Sequence, residues 1–135
     1  MKYLLDTSTC VFIICNNSQL ALQRLRQQHA AGVVGISSIT LDELRYGADK
    51  SQDPPKNHAA LNGFLAPLEI VEFDAQAAGH YGSIRADLEK RGLPIGPLDT
   101  LIAAHAQSLG LTLVTNNISE FTRVSGLLVE DWTVP

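Results

Sequence analysis

The chain has 135 residues, 45% hydrophobic and 18% charged, and 10 Lys and Arg against 14 Asp and Glu give a formal charge of −4. That length fits one domain with a sizeable core, residues 1–135, and the composition excludes global disorder. The negative balance argues against nonspecific adhesion to nucleic acid, which depends on phosphate neutralisation, but not against an enzyme that meets phosphate through a bridging cation.

No apolar run approaches the ~18 residues of a membrane span. The opening Met1-Lys2-Tyr3-Leu4-Leu5-Asp6 lacks a signal-peptide layout, because an acid interrupts it almost at once. A cytoplasmic protein with no membrane attachment is therefore expected. Cys10 and Cys15, five apart on different faces of one helix, are expected to be unpaired thiols.

Residues 2–5 read as a short apolar strand running into Asp6, followed by two hydroxyl residues that can start a helix over 8 to about 15. A helix over 18–29 turns Leu20, Leu22 and Leu25 inward. Gly32 opens a strand over 33–36, and Ser37 or Ser38 caps a helix ending near Gly47. The polar stretch 49–55 with its Pro pair is the best loop candidate and leads into an amphipathic helix over 58–65. Residues 69–73 alternate as a strand. Asp74 caps an Ala-rich helix from 75 to about 91, closed by Gly92. Residues 93–97 form an extended loop, Pro97 opens a helix to 109, and Gly110 stands past its end. A strand over 112–115, a helical turn over 119–122 and an edge strand over 127–129 complete the chain. Alternating strands and helices with apolar strands predict an α/β fold, a three-layer α/β/α sandwich around a mainly parallel sheet.

Asp6 stands at the carboxyl end of a strand, where open α/β sheets bind ligands. Its bland role, a helix N-cap, is equally available. Asp99 in a first helical turn would meet the helix dipole for ~0.3–1 kcal/mol. The helix faces weigh against that reading. Asp99 lies with Ile102, Ala103 and Ala106, and Glu43 with Ile39, Tyr46 and Gly47, while Asp42 faces outward. An acid on a buried face is unfavourable by several kcal/mol unless paired or coordinated. One shared cation accounts for Asp6, Glu43 and Asp99 more economically than three coincidences. Oxygen-only ligation indicates a hard ion, Mg²⁺ with Mn²⁺ as substitute, and phosphodiester hydrolysis as its natural chemistry. His29, His58, His80 and His105 share no spacing that would form a zinc site.

These motifs resemble PIN-domain ribonucleases, specifically VapC-type toxins of type II toxin–antitoxin modules, over nearly the whole length. The resemblance rests on Leu5-Asp6-Thr7-Ser8, on Ile36-Ser37-Ser38-Ile39-Thr40 leading to Glu43-Leu44 and Tyr46-Gly47, and on Gly96-Pro97-Leu98-Asp99 with Ile102-Ala103. Val114-Thr115-Asn116-Asn117 with Glu120-Phe121 completes it. It implies a Mg²⁺-dependent endoribonuclease, usually a homodimer, neutralised by a cognate antitoxin whose tail fills the active-site groove. Operator DNA would be bound only through that complex. In some relatives the target is the anticodon loop of initiator tRNA.

Asp6, Glu43 and Asp99 match the family's metal-binding acids. Ser8 stands where the family usually has Asn, and is expected to keep a hydrogen bond to Asp6. Asn117 stands where many relatives carry a fourth acid; with one carbonyl oxygen and no charge it is a weaker ligand unless Glu120 reaches in. Converging acids predict an antitoxin segment that is basic where it enters the groove.

For RNA contact the candidates are Arg85, then Lys50 and Arg91, although Arg85 is equally placed to pair with Glu89 at i+4. Tyr46 and Tyr81 are candidates for base stacking, with core packing the stronger expectation for Tyr46. Three rival readings fare worse. A receiver-type module needs a Lys at the end of a late strand, where this chain has Thr115-Asn116-Asn117. A haloacid-type phosphatase needs a second Asp where Ser8 stands, and an inactive PIN scaffold is disfavoured by three intact acids.

Overall fold

The computed structural model describes residues 1–135. Five short strands make one wholly parallel sheet: β1 (Tyr3–Leu5), β2 (Val34–Ser37), β3 (Glu69–Val71), β4 (Thr112–Val114) and β5 (Val129–Glu130), in the order β3-β2-β1-β4-β5. Successive side chains of a strand point to opposite faces, and β1 shows the result. Tyr3 and Leu5 enter one core with Val34, Ile36 and Val114, whereas Leu4 enters the other with Leu113. Both faces are buried, which is why the strands read as continuous apolar runs.

The first layer holds α1 (Thr7–Ile14), α2 (Gln19–Ala30), α3 (Ser38–Asp49) and α4 (Pro54–Leu65). Their Cys10, Ile13, Leu25, Leu44 and Leu61 fill the Tyr3 and Leu5 side. Across the sheet, α5 (Ala75–Lys90) and α6 (Pro97–Ser108) cover Leu4 and Leu113 through Ile84, Leu88, Ile102 and Ala106, and the short α7 (Ile118–Phe121) adds Phe121. The expected three-layer sandwich is therefore the observed one. No helix is long and apolar enough to cross a membrane.

Five helices begin at a side chain that accepts a hydrogen bond from a backbone N–H of the first turn: Asp6 from Thr9, Ser18 from Ala21, Ser37 from Ile39, Asp53 from Lys56 and Asp74 from Ala77. Asp53 explains the main departure from expectation. The stretch 49–55 is not a loop up to the Pro pair, because α4 starts at Pro54. Both prolines occupy first-turn positions that need no intrahelical N–H, so they open the helix instead of breaking it. Elsewhere the differences are of a residue or two at the ends. Strand β5 is Val129–Glu130 where 127–129 was expected, and α7 starts at Ile118. Cys10 is buried and Cys15 exposed, both free.

From β1 the chain passes on one side to β2 and β3 and on the other to β4 and β5. The carboxyl ends of β1 and β4 thus flank the point where strand order reverses. In open α/β sheets that crevice is the ligand site.

Candidate active site

Register builds the site. Leu5 of β1 pairs with Val114 of β4, so the next residues, Asp6 and Thr115, emerge side by side, and the Asp6 N–H donates to the Val114 carbonyl at 2.9 Å. Asp6 is both helix cap and site acid: Oδ1 accepts from the Thr9 N–H at 2.8 Å. Only 2% of it is exposed. Burial pushes its carboxyl above the usual carboxylate range, opposed by hydrogen bonds from Thr115, Thr9 and Ser8. Dedicated donors around a buried acid are what an ionised carboxylate needs to persist there.

Ser8 keeps the expected bond to Asp6, with Oγ 3.2 Å from Oδ1 and 3.1 Å from Oδ2. It also lies 2.6 Å from Asn116 Oδ1. One hydroxyl proton cannot serve all three oxygens. The network is satisfied when the Asn116 amide is turned to donate its N–H to Ser8 while Ser8 donates to Asp6.

Glu43, one and a half turns into α3, faces α1, where the Thr7 hydroxyl donates to its Oε1 at 2.7 Å. Asp99 sits in the first turn of α6. Burial is the largest cause raising its pKa, followed by the charge of Glu120 and a shared hydrogen bond with it, then by the charges of Asp6 and Glu43. Together they bring it to about 7. Glu120 in turn accepts the Gly96 N–H at 3.2 Å through Oε1, and its Oε2 meets the Asn117 side-chain amide.

The structure thus brings Asp6, Glu43, Asp99 and Glu120 into one electrostatic group. Asn117 contributes through Glu120: its backbone N–H is turned back to Thr115 Oγ1 at 2.9 Å, and its amide holds the acid. Thr7, Thr115 and Asn116 are the side chains that sequence reasoning passed over. The register of β1 against β4 is the signal that points to Thr115, since it is one step past Val114 as Asp6 is one step past Leu5.

No cation answers these acids. The three ion pairs of the protein are His58–Asp49, Arg85–Glu89 and Arg91–Asp87, all elsewhere. Nor do the acids close into a cage, since no three His, Cys, Asp or Glu side chains come together at ligand spacing. With the acids spaced in this way, a divalent ion bound among them would meet one or two of the carboxylates directly and complete its shell with water and substrate phosphate.

The remaining sequence candidates are peripheral. Arg85 Nε donates to Glu89 Oε1 at 3.2 Å and Nη1 to the Tyr81 hydroxyl at 3.0 Å. Arg91 is tied to Asp87 and to the Arg123 carbonyl, both at 2.6 Å. Lys50 lies over the Tyr46 ring, 4.9 Å from its centroid. Tyr46 corrects an expectation, for it is 64% exposed and not packed in the core.

The PIN-domain family model matches residues 3–127. The tRNA(fMet)-specific endonuclease VapC of Shigella flexneri is 47% identical over 133 residues, covering 98% of this chain and 99% of that protein. Ribonuclease VapC2 of Haemophilus influenzae is 45% identical over 132 residues, with 98% of each chain covered. Among solved structures, DNA-bound VapBC from Salmonella typhimurium superposes with a TM-score of 0.93 at 48% identity over 98% of both chains. VapBC2 from Rickettsia felis bound to a promoter DNA fragment does so with a TM-score of 0.93 at 42% identity over 98% and 99%. The chain belongs to the PIN-domain family, in its branch of VapC ribonucleases, the toxin members of toxin–antitoxin pairs. PIN-domain ribonucleases generally depend on a divalent metal ion.

Proposed function

We propose that this protein is a Mg²⁺-dependent endoribonuclease that cleaves initiator tRNA in its anticodon loop, acting in the cytoplasm as a homodimer. The observation that carries it is the group of Asp6, Glu43, Asp99 and Glu120 at the sheet's reversal point, left without a cationic partner. The name of the Shigella relative supports the substrate. Asp6, Glu43 and Asp99 would hold the ion, one or two of them directly and the rest through its waters, with Mn²⁺ able to replace it, and Glu120 with Asn117 would make a weaker second contribution.

A bound Mg²⁺ would supply Lewis acidity toward a phosphate oxygen and a nucleophilic water at neutral pH. The chain's own residues prepare that place. Ser8, Thr9 and Thr115 hold the Asp6 carboxylate, Thr7 fixes Glu43, and burial together with the neighbouring Glu120 raises the Asp99 carboxyl to about 7. Arg85, and more weakly Lys50 and Arg91, are the cationic side chains offered to RNA, each now engaged within the protein. A cognate antitoxin enters the same opening with a basic segment, since an Arg among unpaired carboxylates replaces the missing positive charge. Operator DNA is met only through that complex, as the promoter-bound relative suggests.

The test is incubation of the purified protein with initiator and elongator methionine tRNAs in Mg²⁺ and in EDTA, followed by sequencing of the ends. Cleavage of the initiator alone, in Mg²⁺ alone, is expected. Equal cleavage of both overturns the substrate, and cleavage in EDTA overturns the metal.

A further inference from the structure

Beside the acid group, α5 and α6 enclose a second cavity of about 190 Å³. That is well below the ~300 Å³ at which drug-sized pockets begin, so it suits a single ring system. One wall is Tyr81, Arg85 and Glu89, spaced four apart along α5, and the other is Pro94, Ile95 and Pro97. The loop 93–96 separates this cavity from the acids. Its Gly96 N–H donates to Glu120 on the acid side, while Pro94 and Ile95 line the cavity. Pro97 and Thr100 of the cavity lining flank Asp99 in the first turn of α6, so the cavity and the acid group adjoin.

The chemistry of the wall is selective. Arg85 uses Nε on Glu89 and Nη1 on the Tyr81 hydroxyl, so Nη2 and the second Nη1 hydrogen remain free to donate. Glu89 uses Oε1 on Arg85 and keeps Oε2 free to accept. A donor fork next to an acceptor matches a base edge with an exocyclic amine beside an acceptor: cytosine N4 with N3, adenine N6 with N1, or guanine N2 and N1–H with O6. Uracil has no exocyclic amine, and its single N3–H is flanked by two carbonyl oxygens that repel the Glu89 carboxylate. The two prolines and Ile95 give the ring an apolar face, and Tyr81 offers one to stack on.

From this juxtaposition we infer that the cavity between α5 and α6 is a base-selecting subsite, taking an unstacked base that carries an exocyclic amine beside the scissile phosphate and rejecting uracil. The inference rests on the RNA-cleaving function proposed above. It makes Arg85 and Glu89 specificity residues of that reaction, where a surface ion pair alone would have no influence on sequence.

The test separates binding from cleavage. Short labelled single-stranded RNAs, with cytosine replaced by uracil, adenine by purine riboside or guanine by inosine at each position in turn, are titrated into the full chain carrying Asp6→Asn and followed by fluorescence anisotropy. At one position each replacement should weaken binding about tenfold, the scale of one good paired edge contact. Adding Glu89→Ala should shrink that preference to near unity, since it removes the acceptor altogether. Both side chains are more than half exposed, so the substitution leaves the fold intact. Equal binding of all RNAs, or a preference that survives Glu89→Ala, overturns the inference. Wild-type protein is assayed for cleavage of the same RNAs. A base preference in binding without any cleavage sustains the subsite and sinks the nuclease reading; cleavage blind to the base at every position does the reverse.

Discussion

Helix α6 carries two titratable side chains that have settled in opposite ways. His105, near its carboxyl end, is 1% exposed, with Nδ1 2.8 Å from Ser37 Oγ and its ring edge-on to Phe73. Burial lowers its pKa, with only Asp74 and the Glu72 backbone pulling the other way, so the ring is neutral and one of its nitrogens is bonded. Asp99, near the amino end, is pushed up by burial and by three other acids, with no cation beside it. At one end the fold has removed the need for charge. At the other it has gathered more negative charge than it can compensate, on rigid elements, which is the mark of a place completed by something from outside.

The sharpest way to break this contrast is at Asp6. Asp6→Asn keeps an N-cap as good as Asp but removes one of the gathered charges. Cleavage should fall on the order of 1000-fold, the scale of losing a principal electrostatic group, while the melting temperature stays near wild type. A rate within tenfold of wild type would mean that the site does not use this charge.

The structural end is tested by His105→Ala. Loss of the bond to the cap of α3 and a cavity between α6 and β2 should lower stability by about 2–4 kcal/mol in urea titration, with cleavage by the folded fraction unchanged. If stability barely moves, His105 does not fasten the helix bearing Asp99 to the helix bearing Glu43.

The corner formed by Asn116, Asn117 and Glu120 lies between these extremes. Asn116→Ala and Glu120→Gln should each slow cleavage ~10- to 100-fold, as for residues that orient ligands. Asn117→Ala should do less than Asn116→Ala, because Asn117 acts only through Glu120. The reverse order would place Asn117 in direct contact with the reacting groups.

The smallest effect has the opposite sign. Asp99→Asn should stabilise the metal-free protein by about 1 kcal/mol, a modest value because the site is open to screening solvent. The pH dependence identifies its source. Asp99 is raised from 3.8 to about 7 in the folded state, so its ionisation weakens the fold as pH rises through that window. His105 is lowered from 6.5, so its protonation weakens the fold as pH falls below 6.5. Thermal melts in EDTA between pH 7 and 5 should show the two partly cancelling in wild type. In Asp99→Asn the loss on acidification should be the larger, with Asp6 the one raised carboxyl left to oppose it.

Much of this was legible in the chain. Apolar strands ending in an acid or a hydroxyl placed Asp6, and a stripe at helical spacing placed Glu43 and Asp99. What escaped depended on neighbours distant in sequence. The Pro pair at 54–55 reads as a breaker until Asp53 is seen to cap it. Tyr46 shares the stripe of Glu43, but only the packing around α3 decides that it emerges into solvent. Choosing Asn116 over Asn117 for the Ser8 network requires knowing where β4 stops, and a propensity pattern leaves that open by a residue. Arg91 reads as free for RNA, yet a carbonyl 32 positions away holds it.

The pairing of β1 with β4 also bears on synthesis. Residues 3–5 leave the ribosome well before residues 112–114, and until those follow one edge of β1 has no partner. Contacts so far apart form late and slowly, because a long loop must close before they contribute. The nascent chain can lay down β2 and β3 beside β1 and pack the first layer, but Asp6 has neither Thr115 nor Asp99 near it. The acid group is therefore assembled only after the segments around residues 99 and 115 have joined β1.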